Sequence, residues 1–153
     1  MLLKDLMSFQ NLSRSKQSDH EQEVHQQLLP CMKFHWGDGA FLIGIDFVKE
    51  VIENHHIIPY PENHLDHLGL VNLRGQILPI IRPSFYNGIQ GQKSDRLMVI
   101  ELDDRRIFCI QVNRVQKVAI PKERLSQEVM NIDNTPIRMV QEQDFKAMDV
   151  RDE

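Results

Sequence analysis

Two cysteines, one tryptophan and two tyrosines are all that 153 residues contain of those types, and the scarcity already excludes several functions. Cys31 and Cys109 stand far apart, with neither the CxxC spacing of a redox pair nor the paired spacing of a zinc knuckle. Long apolar runs are missing too. No stretch approaches the ~18 apolar residues that a membrane-spanning helix needs, and Met1-Leu2-Leu3 gives way at once to Lys4 and Asp5, so no export signal forms. Nor does charge of one sign accumulate: 18 basic and 22 acidic residues are mixed along the chain, for a net charge of −4. The longest basic pairing is Arg105-Arg106, too little for the positive stripe that neutralises phosphates. These absences argue against a nucleic-acid partner and against membrane insertion. The setting they imply is a reduced, cytoplasmic, water-soluble protein.

Catalytic signatures are equally sparse. There is no GxSxG nucleophile elbow and no GxxxxGK[ST] phosphate loop. Gly88 and Gly91 lack the βαβ context of a dinucleotide fingerprint. Of seven histidines, four fall at His55, His56, His64 and His67. His64 and His67, three apart and near Glu62 and Asp66, could share one side of a helical turn as metal ligands. They lack an HExxH arrangement and a third ligand at a recognised spacing, and histidines near turns are usually just solvated. The expectation is a protein with no catalytic residues, no cofactor and no metal, with a metal-binding role for the His55–His67 cluster as the least favoured alternative.

The hydrophobic fraction of 41% is ample for one domain with a buried core. Residues 1–27 read as a partly disordered lead: Leu2, Leu3, Leu6, Met7 and Phe9 fit a short amphipathic helix, after which Asn11 to Gln27 is polar. Residues 28–150 read as the domain proper. Met32, Phe34 and Trp36 alternate with polar neighbours, the period of a half-buried strand. Gly37-Asp38-Gly39 supplies a hairpin turn into a return strand over 41–45. Asp46 is a candidate cap for one or two helical turns through Val51. Gly69 to Leu73 and Gln76 to Ile81 form a second hairpin around Arg74-Gly75, with Pro79 predicting an edge position or a bulge. A Gly/Gln loop at 87–94 suggests a seam between subdomains. Leu97 to Leu102 and Ile107 to Val112 are apolar on both faces around the Asp103-Asp104-Arg105 turn. Strands over 115–120 and 137–140 follow, and a short terminal helix covers 145–150. Many short strands with turns every ten or so residues predict an all-β barrel or sandwich.

One stretch is long and compositionally unusual. Gly69-Leu70-Val71-Asn72-Leu73-Arg74-Gly75-Gln76-Ile77-Leu78-Pro79-Ile80-Ile81 resembles, nearly position for position, the G-V-I-N-L-R-G-x-[IV]-[VL]-P-[VI]-[VI] signature of CheW-like domains. Val48-Lys49-Glu50-Val51-Ile52 is similar to the family's V-x-E-V-[LI] segment, at the family's distance from the Arg74 motif. Leu97 to Leu102, Arg106-Ile107 and Val112 to Val115 resemble its later hairpin, and Val129 to Asp133 its closing one. The resemblance spans residues 29–148. It implies two small five-stranded SH3-like β-barrels sharing a core, with short helical turns and a short C-terminal helix. It implies an adaptor that couples methyl-accepting chemoreceptors to a CheA-like histidine kinase: the groove between the barrels receives a receptor's helical-hairpin tip, and the barrel ends pair with the kinase regulatory domain. Glu50 and Arg74 would form an ion pair beside the receptor-binding face, with Ile43, Val71, Asn72, Leu73 and Gly75 near the contact patch.

Two features depart from the pattern. Arg82-Pro83-Ser84-Phe85 stands where the family has an acidic residue and leucine, which inverts a charge and removes a backbone donor. The link from Leu125 to Val129 is short, which predicts a trimmed second barrel. Both leave room for a divergent module of a pilus-type or other accessory chemosensory system that has kept a single partner.

Overall fold

A computed structural model describes residues 27–53, 56–59 and 66–146. The expected amphipathic start and polar lead, His55, His64 and the end of the terminal helix lie outside the described residues.

The described residues open with a hairpin of β1 (Leu28–Trp36) and β2 (Gly39–Gly44), turning at Gly37-Asp38 with Gly37 at φ +56°. One 3-10 turn (Ile45–Phe47) leads into β3 (Val48–Ile52). The helical turns expected after Asp46 therefore stop at Phe47. Val48–Ile52 is taken into a sheet because β3 pairs antiparallel with β6 (Leu97–Glu101), and tertiary pairing overrides local preference there. β4 (His67–Leu73) and β5 (Gln76–Ile81) make the second hairpin, a 3-10 turn (Ser84–Tyr86) follows, and β6 folds back on β7 (Ile107–Gln111). After β8 (Arg114–Pro121) come a 3-10 turn (Lys122–Ser126), the hairpin of β9 (Val129–Ile132) and β10 (Thr135–Met139), and a short helix α1 (Glu142–Lys146).

The ten described strands form two five-stranded sheets, in the orders β8-β1-β2-β10-β9 and β3-β6-β7-β5-β4. Each follows one plan. A hairpin (β1–β2, or β6–β7) lies with its second strand parallel to the second strand of another hairpin (β10, or β5), and an edge strand (β8, or β3) pairs with its first. The second sheet is one continuous piece of chain, β3 to β7, inserted into the first. Residues 87–94 connect β5 to β6 within that second sheet. β8 does not extend the sheet of β6 and β7; it crosses over to pair with β1.

Burial explains why so many strands are apolar on both faces. Phe34, Phe41 and Ile43 from the first sheet meet Met98, Ile100, Phe108 and Ile110 from the second in a shared core, joined by Phe85, Tyr86, Val140 and Phe145. The alternate residues point the other way into private cores. Cys31, Leu42, Met130 and Ile137 fill that of the first sheet, and Val71, Leu78, Ile80, Leu97, Val99 and Cys109 that of the second. A strand sandwiched between two cores has no polar face to show.

Three expectations are corrected. β5 is not an edge strand: it lies between β7 and β4. Pro79 is tolerated because it stands opposite Leu70, whose N–H and C=O bond to Ile58 rather than to β5. The missing donor of Pro79 therefore falls on the β7 side, where the parallel ladder is the single pair Ile80–Cys109. The expected irregularity sits across the ladder, where β4 shifts register between His67 and Gly69. Finally, the short link after Leu125 removes no strand, since the first sheet still holds five. Arg124 instead donates to the Asn131 carbonyl at 3.0 Å, tying the 3-10 turn to β9.

Candidate functional site

Glu50 on β3 and Arg74 at the end of β4 belong to the two opposite edges of the second sheet. Their side chains pair, the Arg74 guanidinium donating to the Glu50 carboxylate. The bridge therefore joins edges that the ladder leaves apart, and Ile52 beside it packs in one cluster with Val71 and Leu73. The turn that presents Arg74 is set locally. Arg74 (φ +53°) and Gly75 (φ +88°) both have positive φ, the signature of a two-residue I′ turn. Glycine takes that geometry freely, whereas arginine there costs on the order of 1 kcal/mol. Asn72 helps hold the turn, its Oδ1 accepting from the Gly75 N–H at 2.9 Å. With the Arg74 side chain 71% exposed, the pair contributes ~0–1 kcal/mol to stability. Orientation is its larger effect.

Burial divides the residues expected at the contact patch. Glu50 is half-buried, and Asn72, Arg74 and Gly75 are exposed. Ile43, Val71 and Leu73 are 1%, 0% and 7% exposed, and they are corrected to core positions. Ile43 lies in the shared core and the other two in the private core of the second sheet. The reason is strand period: Val71 and Leu73 point inward beside Gly69, and Asn72 between them points out.

Glu50 is also a lip of a groove between the sheets. Met32 of β1 and Val115 of β8 form one wall; Ile45, Val48 and Val51 form the other; Lys49, Gln116 and Lys117 stand with Glu50 at the rim. The groove encloses about 430 Å3. An apolar floor with a charged rim is the composition of a protein-recognition surface. A second apolar surface, not anticipated in the sequence, lies around the β4–β5 hairpin, where Ile58, Leu68 and Ile77 are 39%, 39% and 52% exposed. The signal was present in Ile77, paired across the ladder with the exposed Asn72, yet its strand reads as uniformly apolar.

Nothing at the corner or in the groove resembles a nucleophile–base pair. His56 is exposed, and among the described residues no three or more His, Cys, Asp or Glu side chains gather as metal ligands. Burial raises both thiols. Cys109 is pushed up to about 12, by desolvation first and the Glu50 carboxylate second, and Cys31 is raised by desolvation alone. Both are free, and their burial and raised pKa values make them inert. Among the described residues no helix is long and apolar enough to cross a membrane.

The Arg82-Pro83-Ser84-Phe85 departure has a local role. Pro83 precedes the 3-10 turn that sends Phe85 and Tyr86 into the shared core. Arg82 spans that turn, its guanidinium donating to the Tyr86 carbonyl at 3.3 Å.

No curated protein matches the chain in sequence. The crystal structure of the scaffolding protein TtCheW from Thermoanaerobacter tengcongensis is similar in fold, with a TM-score of 0.62 at 20% identity, over 75% of this chain and 90% of that one. The CheW-like domain family matches residues 30–142. That span takes in both sheets, the Glu50–Arg74 corner and the groove, and the chain belongs to the CheW-like domain family.

Proposed function

We propose that this protein is a non-catalytic chemosensory adaptor of the cytoplasm, coupling methyl-accepting chemoreceptors to a CheA-like histidine kinase. The observation that carries the reading is the Glu50–Arg74 pair at the lip of the intersheet groove. The groove is apolar within and charged at its rim, which suits the amphipathic helical tip of a receptor. The exposed apolar face around Ile58, Leu68 and Ile77 offers a separate place for the kinase regulatory domain. Two surfaces on one rigid body are what an adaptor requires.

The test is binding of the purified chain to a chemoreceptor signalling-tip fragment and to a CheA regulatory domain, each by calorimetry. The expected affinities are micromolar. Arg74→Ala and Glu50→Arg are expected to weaken receptor binding at least about tenfold, a loss of ~1.4 kcal/mol, with circular dichroism melts little changed. If both variants stay folded and bind both partners as before, the site assignment fails.

A further inference from the structure

A second cavity shares no lining residue with the groove. It encloses about 430 Å3 between the end of β1, the end of β5 and the strap of residues 89–93, within the ~300–1,000 Å3 typical of small-molecule sites. Its wall is aromatic: the Trp36 and Tyr86 rings stack with centroids 5.0 Å apart and planes 7° from parallel. Ile81 and Ile89 extend that wall.

The cavity is built rather than incidental. The Tyr86 hydroxyl donates to the Gln111 carbonyl at 2.7 Å, which fixes the ring. The strap is pinned at two points, the Asn113 amide donating to the Gln92 carbonyl at 3.1 Å and the Gln111 amide to the Ser94 carbonyl at 2.9 Å. Just before them Gly91 lies so close to the indole that a Cβ there would sit 2.3 Å from Trp36 Cε2.

Charge selects the ligand class. Among the described residues Arg82 and Lys93 line the cavity and no carboxylate does, in a chain whose net charge is −4. Among the described residues neither cation has an ion-pair partner, and the Arg82 guanidinium makes only its 3.3 Å bond to the Tyr86 carbonyl. The indole Nε1 of Trp36, buried in the same wall, is a donor with no partner among the described residues. Arg82 is also the position at which the sequence inverts the family's charge.

We propose that this cavity binds a small aromatic carboxylate, its ring against the Trp36–Tyr86–Ile89 wall and its carboxylate on Arg82 and Lys93. The cavity shares no residue with the groove, meets the exposed apolar face only at Leu68, and does not depend on the adaptor reading. Because the cavity draws on both sheets, an occupant would brace one against the other.

Trp36 is the one tryptophan of the chain, so its emission reports on this site alone. The full chain is titrated with 3-phenylpropionate and with the neutral 3-phenylpropionamide. The acid is expected to give a saturable change, and the amide to bind about tenfold more weakly for want of a charge-assisted bond. Lys93→Gln, at an exposed side chain with no hydrogen bond or ion pair among the described residues, is expected to weaken the acid several-fold and leave the amide alone. Arg82→Gln is expected to do the same more strongly. Ile89→Phe, which fills the cavity, should abolish both. A flat titration with the acid to about 10 mM, equal binding of acid and amide, or acid binding indifferent to both Lys93→Gln and Arg82→Gln would each overturn the proposal.

Discussion

In the first sheet the edge strands β8 and β9 are joined by residues 122–128, one 3-10 turn whose Arg124 reaches the Asn131 carbonyl. In the second sheet the edge strands β3 and β4 are separated by residues 53–66, and their meeting point is a pair of side chains, Glu50 and Arg74. The strand plan is the same and the closure differs. A short link brings its edges together by chain connectivity. A longer one leaves the edges to be joined by charge, and part of that link, at Ile58, bonds along the outside of β4. The exposed apolar residues divide likewise: Ile58, Leu68 and Ile77 on the second sheet, Val129 on the first. Among the described residues, exposed apolar surface gathers on the sheet whose closure depends least on the backbone.

The two thiols make the comparison measurable, because Cys31 lies in the private core of the first sheet and Cys109 in that of the second. Alkylation of each reports the opening of its own sheet. The largest effect is expected for Phe108→Ala in the shared core, a loss of ~3–5 kcal/mol that exposes both thiols together. Leu42→Ala and Leu78→Ala, one in each private core, should cost ~2–5 kcal/mol apiece. Each should speed labelling of its own cysteine more than the other; identical labelling in the two variants would show that the sheets open as one. Gly69→Ala comes next, since a Cβ there would lie 2.7 Å from the Ile58 carbonyl oxygen. A cost of ~1–3 kcal/mol is expected by thermal melt, with Cys109 the more affected thiol. Arg74→Ala should cost at most ~1 kcal/mol, again read at Cys109, and its effect on receptor binding should exceed its effect on stability.

The smallest effect belongs to pH. His35 on β1 is held below its ordinary value by burial, then by Arg114 and Lys33. A histidine so depressed takes up its proton more readily when unfolded. Stability is therefore full above about pH 6.5 and falls as the pH drops from there toward the folded-state value. His35→Gln should flatten that slope in melts between about pH 7 and 5; an unchanged slope would assign it to other groups.

Much of this fold was legible from alternation and turns. Gly37 and the Arg74-Gly75 pair carry positive φ at the predicted hairpins. The Glu50–Arg74 pair followed from a motif match, and the Asn72 bond to the turn from its residue type. What was hidden has one physical cause. When a strand packs against cores on both faces, the hydrophobic period no longer marks inside and outside, so neither the burial of Ile43 and Leu73 nor the exposure of Ile77 could be read. The strap and its cavity escaped for a different reason: Gly91 and the glutamines around it look like a surface loop, and only contact with Trp36 gives them a place.

The nesting of one sheet inside the other also imposes an order on biosynthesis. β1 and β2 are the first described strands to leave the ribosome, yet the partners that complete their sheet, β8 to β10, are among the last. At ~5–20 residues per second the wait is on the order of ten seconds, with the inner faces of Phe34 and Leu42 only partly covered. The second sheet, made whole in that interval, supplies the surface on which the early hairpin can shelter. Nascent chains stalled after β8 has begun to emerge should protect Cys109 from alkylation while Cys31 still reacts, and equal protection of the two would show that the first sheet does not wait.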